Sequence, residues 1–188
     1  MIVTIARECG CLGDEIGTVL AQKLGIPLFD KKKITELAKE KGIYEKYSNF
    51  FEEKQGNLLL SAIAEEEQLD DVRSTPKRAL HEVVGDHSCV IIGRCGNYAY
   101  AGEEELLRIF LCGNKADRIA RLMEKHQVSR SEAVTRIDKT ESRRRAYHKF
   151  YTGQEWGYAG NYDLFINDSN MGVEGTIDMI MCELQYKR

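Results

Sequence analysis

The residues best spaced to do chemistry stand at the start of the chain. Ile2-Val3-Thr4-Ile5-Ala6 is a short apolar, β-branched run, and Arg7-Glu8-Cys9-Gly10-Cys11-Leu12-Gly13 follows it as a glycine-punctuated turn. Residues 14–24 then carry helical periodicity, and Gly25-Ile26-Pro27-Leu28-Phe29-Asp30 reads as a second strand. Gly10 and Gly13 permit backbone conformations in which successive amides turn inward and ring a phosphate. The helix opening near Asp14 adds its positive end. The plain alternative is a strand-to-helix turn that binds nothing. A Walker loop, G-x-x-x-x-G-K-[ST], also brings a lysine to the β- and γ-phosphates and a hydroxyl to Mg²⁺. Neither group stands where that pattern expects it.

The other polar residues of interest each carry two readings. Asp14 and Glu15 suit the first turn of any helix; as carboxylates they are also able to hold Mg²⁺ in place of the missing hydroxyl. Arg7 ends the first strand, where its planar fork either meets a phosphate or pairs with Glu8 or Asp30. Asp30 either caps the next helix or contacts a ligand. Arg143-Arg144-Arg145 is the strongest local charge cluster. It is either a clamp on a transferring phosphoryl group or a solvated face paired with Asp138 and Glu141 one turn earlier. Successive helical residues point about 100° apart, so at most two of the three face one site, and Arg143 or Arg144 is favoured with Tyr147 beneath. Arg118 and Arg121 read as surface residues. His81, His87, His126 and His148 lack metal-ligand spacing. Trp156 with Tyr151, Tyr158 and Tyr162 forms either a stacking surface or core and oligomer packing.

The elements that must position these residues alternate along the chain. Strands are expected at 2–6, 27–30, 88–92, 106–111 and 162–166. Ser88-Cys89-Val90-Ile91-Ile92 has the continuous apolar character of a strand buried on both faces. Helices are expected at 14–24, 31–42, 50–69, from a Ser74-Thr75-Pro76 cap to about 84, 114–126, 129–150 and 173–186. Ser129 with Glu132 makes a capping box. Alternation of this kind implies a parallel sheet covered on both faces, with ligands at the carboxyl ends of its strands. Those ends carry residues 7–13, Asp30, Gly93-Arg94 and Asn167.

The chain has 188 residues, 43% hydrophobic and 30% charged, with a formal net charge of −3. That suits one α/β domain and gives no general attraction to nucleic acid or an anionic membrane. No apolar run approaches membrane-spanning length, and the first six residues lack the marks of a secretory signal, so a cytoplasmic protein is expected. The six cysteines (9, 11, 89, 95, 112 and 182) form no zinc or redox pattern and are read as reduced. Cys9 and Cys11 flank Gly10, where a helix terminus is able to lower a thiol pKa, although loop filling is the favoured role.

Four stretches in order resemble the cytidylate kinase-like family, a branch of the P-loop nucleoside monophosphate kinases. They are Ile5-Ala6-Arg7-Glu8-Cys9-Gly10-Cys11-Leu12-Gly13, residues 20–30, Val90-Ile91-Ile92-Gly93-Arg94-Cys95-Gly96-Asn97, and Arg143 through Tyr147, Tyr151-Thr152-Gly153, Trp156 and Asn161-Tyr162-Asp163 to Ile166-Asn167. The resemblance implies a three-layer P-loop NTPase-like fold with a five-stranded parallel sheet, helices on both faces and a helical lid. It implies one domain over 1–188, with an acceptor-side helical insertion at 31–87 and a lid-like region at 129–160. It places ATP with Mg²⁺ at Gly10, Cys11, Leu12, Gly13, Asp14 and Glu15, an acceptor near Asp30 and Arg94, and catalytic arginines at Arg7, Arg143 and Arg144. If Gly25 is matched to the glycine after the first helix of ordinary cytidylate kinases, the Walker lysine falls on Gly13 and the hydroxyl positions on Asp14 and Glu15. The cytidylate kinase-like branch often lacks that lysine too but commonly keeps S-G-G followed by a basic residue, where this chain has Cys11-Leu12-Gly13-Asp14. The expected activity is transfer of a γ-phosphoryl group to a small acceptor such as a nucleoside monophosphate. Two alternatives stand beside it. One is a regulatory protein that binds a nucleotide or phosphorylated metabolite without turnover. The other is an interaction protein whose residues 50–69 pack against a partner or a second copy.

Overall fold

A computed structural model of the chain describes residues 1–53 and 66–186. Its strands are β1 (Ile2–Arg7), β2 (Leu28–Phe29), β3 (Cys89–Ile92), β4 (Leu106–Cys112) and β5 (Leu164–Asn167). They form one parallel sheet in the order β2-β3-β1-β4-β5. The helices are α1 (Gly13–Leu24), α2 (Lys31–Glu40), α3 (Ser48–Phe51), α4 (Glu66–Val83), α5 (Gly96–Ala99), α6 (Lys115–His126), α7 (Arg130–Thr152) and α8 (Asp168–Tyr186). The expected five-stranded parallel sheet with helices around it is present.

β1 lies at the centre because both of its faces are apolar. Val3 and Ile5 join Val90, Leu107, Ile109 and Leu111 under Ile16 and Leu20 of α1 and Ile177 and Ile180 of α8. Ile2, Cys89, Ile91 and Leu106 face the other way, against Ala79, Leu80 and Val83 of α4, Phe50 and Phe51 of α3, and Tyr147 and Tyr151 of α7. A third cluster, with Cys9, Ile119, Leu122, Ala133 and Ile137, ties α6 and α7 to the turn after β1. Each fully buried aliphatic side chain contributes roughly 1.5–3 kcal/mol. The layers therefore hold the carboxyl ends of β1, β3 and β4 firmly side by side.

Some boundaries differ from the sequence reading. The expected helix at 50–69, with Leu58, Leu59, Ala62 and Ile63 on one face, lies largely outside the described residues. α3 stops at Phe51, and Glu53 takes a positive φ of 56°. Thr75 and Pro76 do not start a helix; Pro76 lies inside α4. The Ser74 and Thr75 hydroxyls donate to the Asp71 carbonyl instead of capping. An interior proline costs about 3 kcal/mol, which the burial of Ala79, Leu80 and Val83 on the same helix offsets. α8 begins at Asp168, earlier than the expected Val173, and is broken at Gly172, whose φ of 64° only glycine adopts readily.

Candidate active site

The turn after β1 is held by side chains from distant parts of the chain. Glu8 extends the sheet by donating its amide to the Leu111 carbonyl at 2.9 Å. Gly10 has a φ of 89°, and a Cβ there would lie 2.7 Å from the Arg118 carbonyl oxygen, so no other residue fits. The Cys9 amide donates to Glu141 Oε1 at 3.3 Å, and the Leu12 amide to Asp168 Oδ2 at 2.7 Å. Leu12 caps α1 without a side-chain bond of its own, so the fully buried Asp168 carboxylate serves as the acceptor. Gly13, Asp14 and Glu15 open the helix with amides that have no intrahelical acceptor.

Two arginines of α6 complete the clamp. Arg118 Nη1 donates to the Cys9 carbonyl at 3.1 Å and to Glu141 Oε1 at 2.5 Å, and its Nε lies 3.4 Å from Glu8 Oε2. Arg121 Nη1 donates to Asp168 Oδ1 at 2.7 Å and reaches the Gly10 carbonyl at 3.4 Å. The sequence reading placed both at the surface; Arg118 is buried. Their i, i+3 spacing puts them on one helical face, which was a usable signal. Their partners at 141 and 168 are too far along the chain to suggest the pairing. Cys11 is a half-buried thiol that lines the cavity over the turn. Burial, then the neighbouring Asp168 carboxylate, pushes its pKa far upward.

The arginines singled out by sequence fan apart. Arg144 Nη1 donates to the Arg7 carbonyl at 2.6 Å. Burial, and next the Arg7 charge, push the Arg144 pKa down to about 10. Arg7 itself pairs with Asp14 Oδ1 at 3.2 Å. Arg143 Nε lies 3.3 Å from Glu53 Oε2. Arg145 turns away, 3.7 Å from Glu141 Oε2 and over the Trp156 ring at 5.8 Å. Arg94, at a φ of 56°, donates Nη1 to the Phe50 carbonyl at 2.8 Å. Its Nη2 is 3.5 Å from Glu53 Oε1 but makes no hydrogen bond among the described residues, on a side chain 1% exposed. Lys31 Nζ also approaches Glu53, at 3.7 Å. Asp30 caps α2 by accepting from the Lys33 amide at 2.8 Å.

Three cavities open along this edge, and Arg7 lines all of them. One of about 480 Å³ runs over the turn and is walled by Gly10, Cys11, Leu12, Asp14, Glu15 and Arg121. A narrow one of about 50 Å³ lies between Arg7, Gly93, Arg94, Arg144 and Glu53. The third, about 520 Å³, is bordered by Asp14, Asp30 and Lys31. The aromatic residues do not make one stacking surface. Trp156 and Tyr162 pack on Phe110, whereas Tyr151 packs on Phe50 and Tyr147. Among the described residues, no three of His, Cys, Asp or Glu converge as a metal cage.

A family model matches residues 2–170, from β1 into the start of α8. The chain belongs to the cytidylate kinase-like family. No curated protein matches it. An uncharacterized protein from Eubacterium ventriosum is similar in structure, with a TM-score of 0.74, 26% identity and 98% of each chain covered. Shikimate kinase from Bacteroides thetaiotaomicron gives a TM-score of 0.49 at 16% identity over 98% of each chain. Deoxyadenosine kinase from M. mycoides gives 0.45 at 14% identity, covering 99% of this chain and 100% of its own. Family and fold together support a nucleotide-binding phosphotransferase scaffold.

Proposed function

We propose that the protein transfers the γ-phosphoryl group of ATP to a small anionic acceptor such as a nucleoside monophosphate. The carrying observation is that Arg7 lines all three cavities, with Arg144 beside it in two of them and Arg94 beside it in the narrow one. The triphosphate lies in the cavity over the turn, against Arg7, Arg121, Arg144 and the open amides of α1. The acceptor lies toward Asp30 and Arg94. Lys31, Arg94 and Arg143 all approach the single carboxylate of Glu53, which stands in for the acceptor's anionic group. The Arg94 nitrogen without a hydrogen bond is a donor for that group. Such transfer needs positioning and neutralisation of charge rather than a covalent intermediate. Mg²⁺ carried by the nucleotide would screen its phosphates, and Asp14 and Glu15, which line that cavity, are the carboxylates fit to meet it.

A second reading, binding without turnover, is favoured by one observation. An internal anion, Asp168, already accepts from the Leu12 amide, and no lysine follows the turn. The test offers MgATP with a panel of nucleoside monophosphates and nucleosides, and follows ADP release and nucleotide-induced thermal stabilisation. Turnover with one acceptor supports the first reading. Stabilisation without turnover supports the second, and absence of both removes the two together.

A further inference from the structure

We propose that Arg7 supplies, from the end of β1, the cation that a Walker loop supplies from the first turn of its helix. The inference rests on the phosphotransferase reading and assigns the missing lysine's place. Gly13, the position matched to that lysine, has no positive φ to demand glycine. Space demands it instead. A Cβ at Gly13 would lie 2.9 Å from Arg7 Cγ, 3.2 Å from Cδ and 3.3 Å from Cβ. The stem of Arg7 therefore lies across the bare helix start where a lysine side chain would leave the backbone. At its other end, Arg7 Nη1 would be 2.8 Å from a Cβ on Gly93. The side chain is thus threaded between two glycines, one on the donor side of the edge and one on the acceptor side. Gly93 is also favoured as glycine by its φ of 75°, whereas at Gly13 only the stem of Arg7 stands in the way of a side chain.

The threading places the guanidinium between the two larger cavities and beside the narrow one. A phosphoryl group passing from donor to acceptor crosses that point. The planar fork offers two parallel donors, so it is able to hold oxygens on both sides of the transfer. Asp14 Oδ1, at 3.2 Å from Arg7 Nη2, is the exposed counter-ion that an incoming phosphate displaces. The Arg144 guanidinium is pressed close enough to feel the Arg7 charge, and an anion between the two relieves that repulsion.

The experiment uses the full chain and the variants Arg7→Ala, Arg7→Gln, Arg7→Lys, Gly13→Lys and the double variant Arg7→Ala/Gly13→Lys. Melting temperature is measured for each, and binding of MgATP and of inorganic pyrophosphate is measured by calorimetry. Arg7→Ala and Arg7→Gln are expected to weaken both ligands by about tenfold or more, with Arg7→Lys between them and wild type. Gly13→Lys alone is expected to melt well below wild type. In the double variant the lysine enters the space Arg7 has left, so melting rises above Gly13→Lys and binding improves on Arg7→Ala. Unchanged affinity in Arg7→Gln overturns the proposal, as does a double variant that melts no higher than Gly13→Lys. If the wild type binds neither ligand, the phosphotransferase reading falls. The melting comparison of Gly13→Lys with the double variant then still decides whether Arg7 fills the lysine's place.

Discussion

Asp168 shows how one residue sets the geometry of this turn. Its carboxylate is fully buried and answers both the Leu12 amide and Arg121. Asp168→Ala leaves a guanidinium and a helix-capping amide unanswered, so the expected loss is about 3–5 kcal/mol, read as a lower melting temperature and denaturant midpoint. Asp168→Asn keeps an acceptor for Leu12 and is expected to lose less. Arg144 tests the proposed chemistry. Replacing it with Met retains much of the stem and removes the charge, and is expected to lower kcat by about 10²-fold or more once the acceptor is found. Cys11 gives a chemical check. With its pKa pushed far up by burial and Asp168, its alkylation at pH 8 is expected to lag far behind that of the exposed Cys182, measured by mass spectrometry of the labelled peptides. Sequence singled out Arg7, Arg94, Arg143 and Arg144 by type and place. It missed Glu53, Asp168 and the buried role of Arg118, because partners in other segments of the chain leave no local pattern.

The existence of the helices was legible in the sequence, but their starts were read unevenly. The capping box at Ser129 is present as read: its hydroxyl accepts from the Glu132 amide, and Glu132 Oε2 accepts from the Ser129 amide at 2.9 Å. Ser129→Ala is expected to cost about 1 kcal/mol, seen as a lower melting temperature with little change in ligand affinity, since Ser129 lines none of the three cavities. Pro76 misled the reading because Ser-Thr-Pro has the chemistry of a helix start. The packing of the next two turns of α4 decided otherwise. The arginine triplet behaved as the 3.6-residue period requires. Arg143 points to Glu53, Arg144 to the turn and Arg145 toward Trp156.

At the scale of the whole molecule, packing of α7 against the sheet places a titratable group in the interior. His148 is buried, and burial pushes its pKa down from 6.5 to about 4. The folded protein therefore keeps it neutral between those values while the unfolded chain takes up a proton. The unfolded state binds more protons there, so stability falls as pH drops from about 6.5 toward 4. The loss attributable to His148 approaches about 3 kcal/mol at pH 4. His148→Gln, compared with wild type by denaturant unfolding from pH 8 to pH 4, is expected to flatten that part of the curve.

The sequence by itself determined the parallel sheet and the edge that carries the site. Continuous apolar strands can be buried only under helices on both faces, and glycines and arginines cluster after the ends of those strands. Only the tertiary structure decided which of these residues meet. The order β2-β3-β1-β4-β5 brings the ends of β1 and β3 together, so that Arg7 reaches from Gly13 to Gly93. It also sets α6, α7 and α8 around the turn, so that Glu141 and Asp168 hold Cys9 and Leu12. Strand and helix character follow from the local periodicity of side chains. Contacts of a charged group follow from the path of the whole chain, and for that reason the absent lysine was visible in the sequence while the arginine lying over its place was not.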